Sequence, residues 1–382
     1  MKCIECGTHS RLRERKDGRC PKCQHRFAFE PTTDPAGITD AQFKYAIEHV
    51  SGQGKVRFTE RNLWYEVHRR WAFSGVWRHT YDLLGPAFLG AIPGVILAKF
   101  FGIPALYWLS PVGAVAAAGT AAYGTWRHNR RPPLPQGPPR VTFGVFQTQH
   151  LPRWVAANGG IRGLLAPRER VAAAMPKKVP ADVAAFSFDR AVVTDRWETA
   201  QLLVANRFHF EHSCAVLSLD GYPDGTADTI KEMLRRNPRL TVFALHDASV
   251  EGCHLPLRLR DEDWFPDPRV RIVDLGLRPE IAKRLRLPQL HGSAVYRPPR
   301  LTKMLSLEEQ KWFAVGHYSE LAALRPTQLM RAVYKGIVAA GPHDGSPGAA
   351  QVGGGDVYYG GGVIWIGDVA PGVDTAKVDG FG

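Results

Sequence analysis

At 382 residues the chain has room for two or three domains, which excludes a single small module. Its formal net charge of +13 and pI near 9.6 favour an anionic partner, either nucleic acid or a phospholipid surface. With no leader ahead of Cys3 the expected compartment is reducing, so the six cysteines do not suggest a disulfide framework.

Four of those cysteines stand in two CxxC pairs, Cys3/Cys6 and Cys20/Cys23. Each pair bends back so that both sulfurs can face one ion, and four thiolates make a closed tetrahedral site suited to structural zinc. The polar segment between them cannot build a core alone, so residues 1–30 are expected to be a zinc ribbon held by its metal. The remaining two cysteines are isolated. Cys214 opens an apolar run as a core residue, and Cys253 has no second Cys/His pair nearby.

A Pro/Thr/Gly linker from Pro31 to Gly37 precedes a basic unit over residues 38–72. Thr39 is placed to cap a first helix, with Gln42 completing a capping box and Phe43, Ala46, Ile47 and Val50 forming its apolar stripe. Thr59 is placed to cap a second, with Phe58 and Leu63 positioned as a hydrophobic staple. Two short helices joined by the glycine turn at Ser51–Gly54 suggest a helix-turn-helix or winged-helix-like unit.

Residues 83–126 are uncharged except for Lys99, long enough for a two-helix transmembrane hairpin turning near Gly102-Ile103-Pro104. Trp77, Tyr81, Tyr123 and Trp126 flank the stretch as an aromatic belt would. Arg78 on one side and Arg127, Arg130 and Arg131 on the other put both flanks, and both termini, in the cytoplasm. The expected location is therefore the cytoplasmic membrane, multi-pass, with phospholipid as a partner. Residues 131–180, Pro-rich at first, are expected to be a linker.

Over residues 181–340 short apolar strands alternate with helical stretches, the pattern of an α/β domain with a mainly parallel sheet. Strands are expected at Ala191–Thr194, Cys214–Leu219, Leu240–Leu245 and Val270–Leu275. Helices are expected at Trp197–Arg207, Thr226–Arg236, Pro279–Leu285, Leu307–Leu324 and Pro326–Val338. The tail, residues 341–382, is Gly-rich, with a strand expected at Gly362–Ile366. In such a sheet function gathers at the carboxyl ends of the strands, here Thr194-Asp195, the Asp220–Asp224 turn and His246-Asp247.

Gly221-Tyr222-Pro223-Asp224, followed by Asp247 and Gly252, in this order of elements resembles a Toprim domain. The likeness is to the topoisomerase VI A subunit and the meiotic double-strand-break transesterases, over about 100 residues. Upstream, Thr59-Glu60-Arg61-Asn62-Leu63-Trp64-Tyr65 is similar to that family's nucleophile motif. The resemblance implies Tyr65 as the nucleophile, Arg61 beside it, and Mg²⁺ held at the strand ends. The family's first acidic position falls on Thr194, or on Asp195 with a one-residue shift. Ser249 and Val250 replace the second Asp and the Pro, and neither the ribbon nor the 83–126 stretch belongs to the family pattern.

Mg²⁺ demands hard oxygen ligands, so Asp247 with help from Asp195 and Glu251 promises only a weak site. Without strong metal help a phenol is a poor nucleophile. The leading expectation is accordingly a DNA-binding, Toprim-like protein without efficient cleavage. The alternatives are a Mg-dependent DNA strand transesterase acting through Tyr65, with an ATPase partner subunit, and a membrane adaptor that binds other proteins.

Overall fold

In the computed structural model, residues 1–34, 37–69, 137–168, 188–261, 263–293, 299–342 and 357–359 are described. The chain divides into two compact units, Met1–Val67 with Pro135–Gly382, and His68–Leu134. The N-terminal cysteines and every strand of the sheet belong to the first.

The two N-terminal helices form as their caps dictate. In α1 (Asp40–Val50), Thr39 Oγ1 accepts from Gln42 N–H and Gln42 Oε1 from Thr39 N–H. In α2 (residues 60–69), Asn62 takes the same role toward Thr59. Residues 143–158, expected to lie in a linker, instead make one continuous helix, α3, from Phe143–Val145, Phe146–His150 and Leu151–Asn158. Its Phe146, Leu151 and Trp154 are buried, and Trp154 stacks on Phe43 of α1 with ring centroids 4.7 Å apart. Prolines concentrate at the start of the 131–180 stretch, whereas the aromatic residues that bury this helix come later.

The sheet strands are β1 (Arg190–Thr194), β2 (Ala215–Ser218), β3 (Thr241–Leu245) and β4 (Arg271–Asp274), all parallel. Between them run α4 (Trp197–Ala205), α5 (Ala227–Arg235) and the short α6 (Val250–Cys253). After β4 come α7 (Pro279–Arg284), β5 (Leu290–His291), α8 (Leu307–Ala314), β6 (His317–Tyr318) and α9 (Pro326–Ala340). A further parallel strand, β7 (Val357–Tyr359), pairs with β4, so the sheet order is β2-β1-β3-β4-β7. The expected strand at Gly362–Ile366 lies outside the described residues.

Alternate residues of each strand enter different cores, as the strand period of two requires. Ala191, Val193, Val242, Ala244 and Ile272 join one apolar cluster; Val192, Phe243 and Val273 join another. The second cluster also contains Phe43, Phe58, Trp64, Tyr65 and Trp154. The basic unit is therefore not a separate module: its helices share a core with one face of the sheet.

The expected helix Leu307–Leu324 is broken. It stops at Ala314, Gly316 takes φ 77°, and the chain returns through β6 and a 3-10 turn at Leu321–Ala323. The expected multi-pass placement in the cytoplasmic membrane is also corrected. Among the described residues no helix is long and apolar enough to cross a membrane. α9, with 15 residues, reaches about 22 Å at ~1.5 Å per residue, short of a hydrocarbon core of roughly 30 Å. The stretch 83–126 itself lies outside the described residues.

Candidate functional sites

The N-terminal cysteines form a metal centre in geometry. Each CxxC closes a tight turn. Gly7 N–H donates to the Cys3 carbonyl and Gln24 N–H to the Cys20 carbonyl, while the Cys3 and Cys20 amides donate to Thr8 and His25. Gly7 and Gln24 take the positive φ that these turns need, 70° and 61°. The ligand atoms of Cys3, Cys6, Cys20 and Cys23 all lie within 4.8 Å of one another, with Cys3–Cys23 at 3.7 Å and Cys6–Cys20 at 3.6 Å. Tetrahedral thiolates with metal–sulfur bonds of about 2.3 Å stand roughly 3.8 Å apart, so the four sulfurs can hold one such ion. The ribbon is tied down by Asp40, whose buried carboxylate accepts from the Ala28 and Phe29 amides, and by the Arg15–Glu30 pair at 2.8 Å.

The second site lies where the sheet order reverses. β1 passes to β2 on one side and β3 lies on the other, which opens a crevice at the carboxyl ends of β1 and β3. Asp195-Arg196 leaves the first end and His246-Asp247 the second. Tyr65, Arg61 and Asp195, singled out with Asp247, join it in one bonded cluster, and Glu251 does not.

Asp247 is fully buried, and its amide donates to Asp195 Oδ2 at 2.9 Å. Its Oδ1 accepts from Leu321 N–H at 2.6 Å, and its Oδ2 pairs with Arg196 Nε at 2.6 Å. Arg196 also reaches Glu320 Oε1 at 3.2 Å, and Arg61 contacts both oxygens of Glu320 at 3.0 and 3.1 Å. The Tyr65 hydroxyl donates to Glu320 Oε2 at 3.0 Å. Tyr65 and Arg61 therefore meet Asp195 and Asp247 through Glu320 and Arg196, two residues that no sequence motif singled out.

Three dockings bring α2 to this place. Asn62 Nδ2 donates to the Ala322 and Leu324 carbonyls, Glu66 pairs with Arg325 at 2.8 Å, and Arg61 and Tyr65 hold Glu320. These residues recur along one helix face at spacings of three to four. The 319–321 segment is pinned in turn to the end of β3, where Ala248 and Ser319 exchange backbone hydrogen bonds. Arg196 was legible as a charge beside Asp195. Glu320 had no local signal, since its segment carries helix-compatible residues.

Three buried or half-buried carboxyls, Asp195, Asp247 and Glu320, face two guanidiniums. Burial pushes the Asp247 carboxyl up to about 8, the Asp195 charge adds to that, and Arg196 opposes without cancelling it. Asp195 is also raised by burial. The Tyr65 phenol is pushed well above its ordinary value by burial and by the adjacent Glu320 carboxylate. The space enclosed beside Arg61, Arg196, Asp247 and Glu320 is about 10 Å³, room for one water at most. A hydrated Mg²⁺ has no room in that space.

Glu251 is exposed, and among the described residues the four cysteines are the only group of three or more potential ligands close enough to share a metal ion. The expected three-carboxylate Mg²⁺ site is therefore not assembled. Gly252, matched on sequence, is required by close packing, since a Cβ there would collide with the Asp247 carbonyl oxygen and crowd the Asp195 carboxylate. His246 is fully buried. Its Nδ1–H donates to the Asp247 carbonyl, and its Nε2 lies 3.0 Å from Asp274. Burial works against that charge pair, yet His246 and Arg278 hold Asp274 at about 2. The Gly221–Asp224 turn is fastened by Arg168, which bonds Asp224 at 2.8 Å and the Asp220 carbonyl at 2.8 Å.

Comparisons with protein-family models, with curated proteins and with solved structures find no match.

Proposed function

We propose that this chain is a DNA-binding, Toprim-like protein related to the topoisomerase VI A subunit, with a cleavage site closed by its own arginines. The observation that carries this reading is convergence. The motif at 59–65 and the strand ends at 195 and 247 are far apart in sequence, yet Tyr65, Arg61, Asp195 and Asp247 belong to one buried cluster. The parallel sheet with the site at its switch point and the basic composition support the same reading.

Cleavage would need an accessible, ionisable phenol and a cation. Tyr65 is 2% exposed and bonded to a carboxylate, and Asp247 and Glu320 are already paired with Arg196. We assign the four thiols to structural zinc, because thiolates in a closed tetrahedral set suit that ion.

The test uses the full chain with duplex DNA over a salt series. Binding should weaken linearly in log–log form as salt rises, and no Tyr65-linked DNA adduct should form with Mg²⁺ or Mn²⁺. Absence of binding at low salt removes the DNA reading. An adduct that disappears in Tyr65→Phe replaces it with the transesterase.

A further inference from the structure

Beside the arginine-closed cluster lies a second opening, a cleft of about 370 Å³. That volume is in the range of small-ligand sites, and the cleft opens at the carboxyl ends of β1 and β3. Its walls include Phe313, Tyr318 and Val250, and its polar groups are Asp195, Ser249, Glu251 and His317. The Tyr318 ring is braced against the backbone of Gly292, where a Cβ would come within 3.3 Å of it.

The unspent polar capacity of this cleft includes a buried carboxylate oxygen. Asp195 uses Oδ2 for the Asp247 amide, while its Oδ1 is buried with no hydrogen-bond partner. His317 Nδ1 is likewise buried and unpartnered, and burial with the nearby His291 and Lys283 disfavours its charged form. Glu251 contributes a carboxylate at the exposed side. Arg196 also lines the cleft, but its guanidinium is engaged with Asp247 and Glu320. An anionic ligand would meet two carboxylates and no free cation among the described lining residues. A Mg²⁺ ion would leave the apolar and aromatic walls unused.

We infer that this cleft binds a small organic cation, an amine or guanidinium on a short carbon chain, with the charge between Asp195 and Glu251 and the chain along Phe313 and Tyr318. Aromatic faces attract such cations, and burying their methylenes adds apolar contact. This site is independent of the DNA reading and stands if that reading fails.

Calorimetric titration of the full chain with agmatine and putrescine tests it, with butane-1,4-diol as the uncharged counterpart, AMP as the anion, and a capped arginine peptide to separate a free ligand from a partner's side chain. Agmatine or putrescine should bind in the millimolar range or tighter, and the diol and AMP should not. Glu251→Gln, an exposed change that spares the fold, should weaken binding about tenfold, one charge contact's worth. Asp195→Asn, checked for native melting, should weaken it further. Tighter binding of the peptide than of agmatine would also support the site and name a partner's side chain as its occupant. No binding of any cation, equal binding of the diol, preference for AMP, or indifference to both substitutions would overturn it.

Discussion

At the scale of single residues, the buried cluster rests on Glu320. It accepts from Tyr65, holds Arg61 in a two-oxygen contact and shares Arg196 with Asp247. Removing its charge leaves two half-buried guanidiniums short of a partner, and breaking such a pair costs about 3 kcal/mol or more. Glu320→Gln should lower the denaturant midpoint accordingly, while Tyr65→Phe, which deletes one hydrogen bond, should cost about 1 kcal/mol. Equal, small effects in urea unfolding would mean that Glu320 is not the hub. Asp247 makes a pH prediction. Its folded pKa of about 8 lies above the unfolded carboxylate value near 4, so the folded state binds the extra proton between those limits. Its contribution to stability is complete below about pH 4 and is lost as pH rises toward 8, at up to ~1.4 kcal/mol per pH unit. Asp247→Asn should flatten that decline in unfolding measured from pH 5 to 8.

At the scale of elements, β3 and α6 meet at a junction with no room for a side chain at Gly252. Ser249 caps α6 by accepting from Gly252 N–H at 2.9 Å, and Gly252 lies against the Asp247 carbonyl and the Asp195 carboxylate. Gly252→Ala forces that backbone apart and should destabilise by about 1–3 kcal/mol, the usual cost of overpacking. Gly160→Ala, in open space, is the control. Comparable melting of the two variants would show that the junction has slack. The strands and most helices of this region were legible because the period-two and helical patterns are local. The break after Ala314 was not. Gly316 alone marks it, and what stabilises the return is the pairing of β6 with β5 and of Ser319 with Ala248, contacts made far along the chain.

At the scale of the first unit, helices α1 to α3 and the sheet share one apolar core, so they should unfold together. Trp154→Ala removes a side chain stacked on Phe43 and Phe29 and should cost about 3–5 kcal/mol. Amides of β3 should then exchange faster in concert, although Trp154 lies in a different helix. Unchanged exchange in β3 would mean two independent folding units.

The sequence by itself determined the cysteine cluster, the helix caps at Thr39 and Thr59 and the parallel sheet, because each depends on spacing within a short window. It also selected Tyr65, Arg61, Asp195 and Asp247 as residues of interest. Only the tertiary structure decided that they meet through Glu320 and Arg196, that Glu251 lines a neighbouring cleft with Asp195 instead of joining that cluster, and that residues 143–158 belong to the core. Those outcomes depend on contacts between segments separated by as many as 262 positions, as in Asn62 to Leu324, and no local pattern encodes which distant charge will be buried against which.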